Sequence, residues 1–383
     1  MAVFLAIKEV WRNRGRFFLF SLVIALITTL VLFIAALSEG LALANKEYLE
    51  KIEADLLVFQ KNVDLSPSTS RIDLSKLNDI ERVEGVEEVG AIGFSSGKIV
   101  FSDGREEKDV ALIGVEAGKP GAPPVDEGQA LSGNRGSEVV IDRNIANSAG
   151  IELDDQITIK TIQGTKEEFY QLRVIGITDK RQYLYQPSIF IPYRTWEQIR
   201  PQPSRMNLVD VISNVVAVVI EDGYSETEVA ENIVNQVKDV EVVDIKTAYE
   251  SLPGYKPQQN TLNTQRGFTL LIGILVIGGF FQIQMLQKIP QIGVLKAIGV
   301  SNLIIATNVV AQIVLVTTFG VFLGVIVTLI LAAGVPGNVP VVFSGDSVLF
   351  AIMTLLLIGP VGGLVSVRSA ISVEPLIALG LSS

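Results

Sequence analysis

Residues 17–37 run without a single charged side chain. At about 1.5 Å per residue that is enough helix to cross a hydrocarbon core of about 30 Å. Three more such runs lie at residues 267–285, 303–333 and 347–367. Lipid offers the backbone no hydrogen bonds, so each run must satisfy its own as a helix, and a chain with four of them folds around a membrane. The first run is too long for a cleaved signal peptide. Beyond it, Ser38-Glu39-Gly40-Leu41-Ala42 continues into a charged helical pattern with no small-residue cleavage site.

Between the first and second runs lies a long water-soluble stretch. The 383 residues are 49% hydrophobic with a mean hydropathy of +0.43, too apolar for a soluble protein and too polar for spans alone. Residues 45–266 hold 24 basic against 37 acidic side chains, a net charge of −13, while the apolar ends are mildly basic. That balance argues against nucleic-acid binding. Cysteine and histidine are absent, which removes disulfides, the usual zinc sites and catalysis by imidazole or thiolate. Residues 114–119, GVEAGK, have one residue too few between their glycines for a phosphate loop and continue with Pro120. If ATP drives this chain, a separate subunit must bring it.

Orientation follows from the first residues. Val3, Ile7, Val10 and Trp11 recur at helical spacing, with Lys8, Glu9, Arg12 and Arg14 largely on the other side. Residues 1–16 therefore read as an amphipathic helix on the membrane surface, or as an ordinary helix start packed on protein. Arg12, Arg14 and Arg16 place the N-terminus in the cytoplasm by the positive-inside rule. The expected layout is a first span at 17–40, an exported domain at 41–266, spans at 267–286, 303–333 and 347–367, and a cytoplasmic tail at 368–383. Residues 287–302 emerge on the cytoplasmic side and 334–346, with Pro336, Gly337 and Pro340, on the outer side. Residues 41–54 continue the first span as a stalk, and 258–266 lead into the second. The glycines around Pro360 are expected to bend the fourth span or admit a close neighbour.

The exported domain reads as α+β. Strands are expected at 56–60, 88–101 (one strand, or two with a turn at Ser95-Ser96-Gly97), 215–221 and 240–245, with helices at 74–83 and 226–238. These make two βαβ-like units of a split, ferredoxin-like sheet. Residues 105–205 form a mainly β insert. It has strands at 110–115, 138–141, 156–162, 169–177 and 188–191, a helix at 143–149 stopped by Gly150, and linkers at 118–128 and 201–204.

Residues 287–302, QKIPQIGVLKAIGVSN, are basic and amphipathic. They place Ile292, Leu295 and Ile298 on one side, with Lys288 and Lys296 to steer a partner, unless they are only a connecting loop. This motif and layout resemble the permease subunit of the MacB/FtsX-type ABC transporters. There E-I-G-x-x-[RK]-A-[IL]-G forms the helix that rests on the ATPase. Ile292, Gly293, Lys296, Ala297, Ile298 and Gly299 match, whereas Gln291 replaces the family Glu and Pro290 is atypical. ADLLVF, VVIDRNIANSAGIELDDQITI and SIFIPY resemble the family's periplasmic core domain. FLAIKEVWRNRGRFFLF and SEGLALANKEYLEKIEADLLVF are most similar to the HrtB-like, hemin-exporting permeases.

The resemblance implies a non-catalytic, multi-pass subunit of the plasma (inner) membrane. It acts as a homodimer in contact with membrane lipids, with two copies of an ABC ATPase that carry the ATP and magnesium. No cofactor is bound by this chain, and no nucleic acid. Coupling falls to Gln291, Ile292, Gly293, Leu295, Lys296, Ala297, Ile298 and Gly299, which pass the motion of the ATPase to the exported domain so that an amphipathic or lipophilic molecule, hemin among the candidates, is extruded. Glu39 and Gln282 are the substrate candidates. The alternatives are a solvated Glu39 and a Gln282 that hydrogen-bonds between helices. For the whole chain they are an FtsX-like subunit that regulates an exported partner, and a receptor that uses no ATP.

Overall fold

The structure, a computed structural model, describes residues 2–202, 212–335 and 339–372. Pro336, Gly337, the end of the expected linker 201–204 and all but the start of the tail lie outside these residues. In chain order the elements begin with α1 (Ala2–Arg12), α2 (Arg14–Glu50), β1 (Leu56–Gln60), β2 (Ile72–Asp73), α3 (Leu74–Glu81), β3 (Val86–Val100), β4 (Lys108–Val115) and β5 (Glu127–Gly128). Then come β6 (Glu138–Asp142), α4 (Arg143–Ala149), β7 (Gln156–Gln163), β8 (Lys166–Thr178), β9 (Ser188–Pro192), α5 (Tyr193–Ile199) and β10 (Ile212–Ser213). The chain continues through β11 (Val215–Ile220), α6 (Glu226–Gln236), β12 (Val240–Asp244), α7 (Ile245–Glu250), α8 (Tyr255–Ala297), α9 (Asn302–Ala333) and α10 (Gly345–Ile371). It divides into two compact units, Leu41–Gln258 and the two ends, Met1–Gly40 with Gln259–Ser383.

The middle unit is built on a ten-stranded sheet whose order begins β12-β1-β11-β3. Each of these four strands is antiparallel to its neighbours, and α3 and α6 form the two crossovers. This is the expected split, ferredoxin-like half. LLVF in β1 shows why it is buried on both faces. Leu56 and Val58 join Ile80 of α3 and Val229 and Ile233 of α6 in one core. Leu57 and Phe59 point the other way, into a core with Tyr48, Ile92 and Phe190, as the two-residue period of a strand requires.

The sheet continues through β4, β9, β6, β8 and β5, with β7 bridging β3 and β8. The mainly β portion is therefore hydrogen-bonded to the split half through β3, which runs unbroken from Val86 to Val100. The turn considered at Ser95–Gly97 does not form, because the glycines of this region serve packing. The Trp196 ring of α5 lies against Gly93 and Gly114, where an added Cβ would come within 2.3 Å and 2.5 Å of it. The indole Nε1 donates to the Ser95 hydroxyl (2.8 Å) and the Leu112 carbonyl (3.1 Å).

Within this unit the C-terminal end of α2 is gripped by the backbone of residues 182–185. The Tyr48 amide donates to the Gln182 carbonyl (2.9 Å), and the Leu184 and Tyr185 amides donate to the carbonyls of Asn45 (3.2 Å) and Ala44 (2.8 Å). Leu184 and Tyr185 take left-handed φ of 49° and 65° to do so. The helix stops at Glu50, short of the expected residue 54. Just beyond it, Arg181 Nη1 donates to the Lys51 carbonyl (2.7 Å) while its Nε pairs with Asp179 (2.7 Å).

In the other unit α2, α8, α9 and α10 are long and apolar enough to cross a membrane. Their inward side chains, among them Ile24, Val31, Ile277, Phe281, Ile313 and Leu355, form one core. Phe268, Leu275, Phe322, Leu329, Phe350 and Leu364 face outward, apolar all round as spans are. Small residues let backbones meet. A Cβ on Gly278 of α8 would come within 2.7 Å of the Gly362 carbonyl oxygen of α10, and one on Gly362 within 2.8 Å of the Ile274 carbonyl oxygen. The close approach expected around Pro360 is thus present.

Candidate functional site

Residues 287–297 are not a helix of their own; they are the last turns of α8. Pro290 sits inside that helix, where it has no N–H to offer and its ring crowds the carbonyl of Leu286. The following turns are held in place by burial. Ile292 is 6% exposed in the core of the unit and Gly293 is buried beside it. Lys296 Nζ donates to the Ile371 carbonyl at the end of α10.

The helix then ends on a Schellman motif. The Gly299 amide donates to the Lys296 carbonyl and the Val300 amide to the Leu295 carbonyl, each at 3.0 Å, with Gly299 at φ 91°. A residue with a side chain resists that conformation, which gives the last glycine of the motif a physical reason. Ser301 then precedes α9.

The expected stripe is therefore split. Ile292 points inward, while Leu295 (38%) and Ile298 (73%) are exposed, together with Val294 (48%), Gln291 and Ala297. What faces outward at this helix end is a small apolar patch flanked by the Gln291 amide. It presents no group for proton transfer, and its chemistry is that of a contact surface.

One turn earlier a polar knot anchors the segment. Lys288 Nζ pairs with Glu9 Oε1 of α1 (2.6 Å) and donates to Gln312 Oε1 of α9 (2.8 Å). Gln312 Nε2 closes the ring by donating to Glu9 Oε2 (2.6 Å), and also reaches Asn308 (3.3 Å). Arg16 donates to Gln287 alongside. Sequence reasoning assigned Lys288 to steering and did not find this ring. The signal was Gln312 itself, a polar side chain in the apolar run 303–333, since such groups inside a span need a partner.

The two substrate candidates are far apart. Glu39, half-buried on α2, accepts a long hydrogen bond from Ser347 at the start of α10 (3.5 Å). Gln282 exchanges hydrogen bonds with Ser369 near its end (3.1 and 3.3 Å). Ser347 and Ser369 are separated by most of α10, roughly 33 Å at about 1.5 Å per residue. The two residues do not share one site, and Gln282 serves helix–helix bonding. Among the described residues no group of His, Cys, Asp or Glu is placed to hold a metal ion.

Two family models match the chain: the MacB-like periplasmic core domain over residues 17–236 and the FtsX-like permease C-terminal region over residues 267–375. Over 379 residues the chain is 28% identical to HrtB of Staphylococcus haemolyticus, described as a hemin transport system permease protein, spanning 98% of this chain and 99% of that one. It is 23% identical over 336 residues to the macrolide export ATP-binding/permease protein MacB of Campylobacter jejuni, spanning 82% of this chain and 51% of that one. Among solved structures, the periplasmic region of MacB from Actinobacillus actinomycetemcomitans matches with a TM-score of 0.38 at 17% identity, over 54% of this chain and 97% of that one.

Proposed function

This chain belongs to the FtsX-like permeases that carry a MacB-like periplasmic core domain, and from that membership we propose how it works: as the membrane subunit that converts ATP hydrolysis on a separate ATPase into movement of its middle unit. The observation that carries the reading is the end of α8, where Val294, Leu295 and Ile298 stand exposed on a helix anchored by Ile292 and Lys296 and terminated at Gly299. An apolar patch on a pinned helix end moves with whatever binds it. Two points favour a separate nucleotide-binding chain. No phosphate loop occurs in the sequence, and the Campylobacter jejuni relative, whose name joins ATP binding to a permease, is matched over only 51% of its length.

The arginines at 12, 14 and 16 support a cytoplasmic N-terminus, which places residues 298–301 on the same side and the middle unit outside. α2 and α8 each run from one unit into the other and so carry displacement between them. Two copies of the chain with two of the ATPase make the working assembly. The cargo is an amphipathic molecule taken from the membrane, with hemin favoured by the Staphylococcus haemolyticus relative.

Ala297→Asp and Ile298→Glu test the reading, since both positions are exposed and neither packs the core. With an ATPase encoded beside this chain, each substitution should lower capture of the ATPase and its stimulation by about tenfold, the equivalent of ~1.4 kcal/mol, with membrane levels unchanged. Wild-type stimulation in both variants would remove the docking role.

A further inference from the structure

On the N-terminal side of the membrane unit, α1, the start of α2 and α9 enclose a groove of about 370 Å³. Ile7 and Trp11 of α1, Phe18 of α2, and Leu315 and Phe319 of α9 line it, together with the exposed Arg14 of α2. Trp11 is 75% exposed, Phe18 52% and Phe319 47%. Ser21, the other polar lining residue, spends its hydroxyl on the Val316 carbonyl (3.3 Å). Of the nearby cations, Lys288 is engaged with Glu9 and Gln312 and Arg16 with Gln287, while Lys8 and Arg12 lie outside the lining. Among the described residues no carboxylate pairs with Arg14.

We propose that this groove is a binding site for an anionic phospholipid of the leaflet on the N-terminal side, with an acyl chain against the aromatic wall and the phosphate on the Arg14 guanidinium. An indole at groove level suits the boundary between acyl chains and headgroups. A guanidinium is the side chain whose fork matches phosphate oxygens, and basic pockets between spanning helices select anionic headgroups. A second copy of the chain is the poorer occupant. A two-fold contact sets the same patch against itself, bringing Arg14 up to Arg14 with no carboxylate in the lining to separate them. The site does not depend on the ATPase reading.

Trp11 is a native reporter, because the other tryptophan, Trp196, is fully buried in the middle unit. The full chain is placed in phosphatidylcholine nanodiscs containing a minor fraction of brominated phosphatidylglycerol or, separately, brominated phosphatidylcholine. Trp11 emission is read by difference against Trp11→Phe. Brominated phosphatidylglycerol should quench at about fivefold lower mole fraction, the factor for ~1 kcal/mol per surface charge. Arg14→Gln should abolish the preference and Arg14→Lys should keep it in part. Arg12→Gln, outside the groove lining, should leave it intact. Equal quenching by the two lipids, or a preference that survives Arg14→Gln, overturns the site. Trp11 shielded from both lipids shows the groove covered by protein and overturns it as well.

Discussion

Asp142, fully buried at the head of α4, accepts hydrogen bonds from the amides of Ile145 (2.9 Å) and Ser188 (3.0 Å). Burial nonetheless outweighs those bonds and pushes its pKa up to about 6. A carboxyl whose folded pKa exceeds its unfolded value stabilises the fold fully below the unfolded value, near 4, and loses that contribution as pH rises through 6. The difference in unfolding free energy between the wild type and Asp142→Asn should therefore shift by about 2 kcal/mol against the wild type between pH 4 and pH 7. Denaturant unfolding followed by Trp196 emission measures it. A gap that is flat across that window would show that the carboxyl titrates normally. The Asp142 cap was not singled out, whereas the C-terminal stop of α4 was legible, since a helix at 143–149 closed by Gly150 is local chemistry, and Gly150 takes φ 64° there. Gly93 and Gly97 were not, because what they accommodate comes from distant positions in the chain, Trp196 and Leu112.

At the scale of elements, the four spans and the split sheet could be read because length and period alone decide them. The end of α8 and the single strand β3 could not, because both depend on tertiary contacts. A proline and a polar run look like a break at 287–302, yet burial of Ile292 and the Lys296 contact carry the helix on to Ala297. Helix α5 escaped notice for the same reason, as its seven residues gain their stability from Tyr193 and Trp196 in the core. The α8–α10 crossing supplies a paired test. Gly278→Ala sets a methyl group 2.7 Å from the Gly362 carbonyl oxygen, whereas nothing lies within 4 Å of a Cβ on neighbouring Gly279. Overpacking of this kind costs about 1–3 kcal/mol. Gly278→Ala should lower the thermal midpoint of the detergent-solubilised chain while Gly279→Ala leaves it in place. Equal midpoints would mean that the two helices are not in backbone contact there.

For the whole molecule, the absence of cysteine makes orientation directly measurable. Single cysteines at exposed positions, Ile298→Cys beyond α8 and Asp154→Cys in the middle unit, report the two sides. In intact cells a membrane-impermeant maleimide should label position 154 and reach position 298 only after permeabilisation. The opposite pattern would invert the membrane topology and separate α8 from any cytoplasmic ATPase.

The grip of residues 182–185 on α2 rests on three bonds between backbone groups alone. Its bonds to Ala44, Asn45 and Tyr48 engage successive positions along the helix, as a rack engages a pinion. Sliding α2 along its axis or turning it about that axis strains all three bonds at once. Because main-chain atoms make the grip, truncating a single side chain among these residues leaves all of its bonds in place.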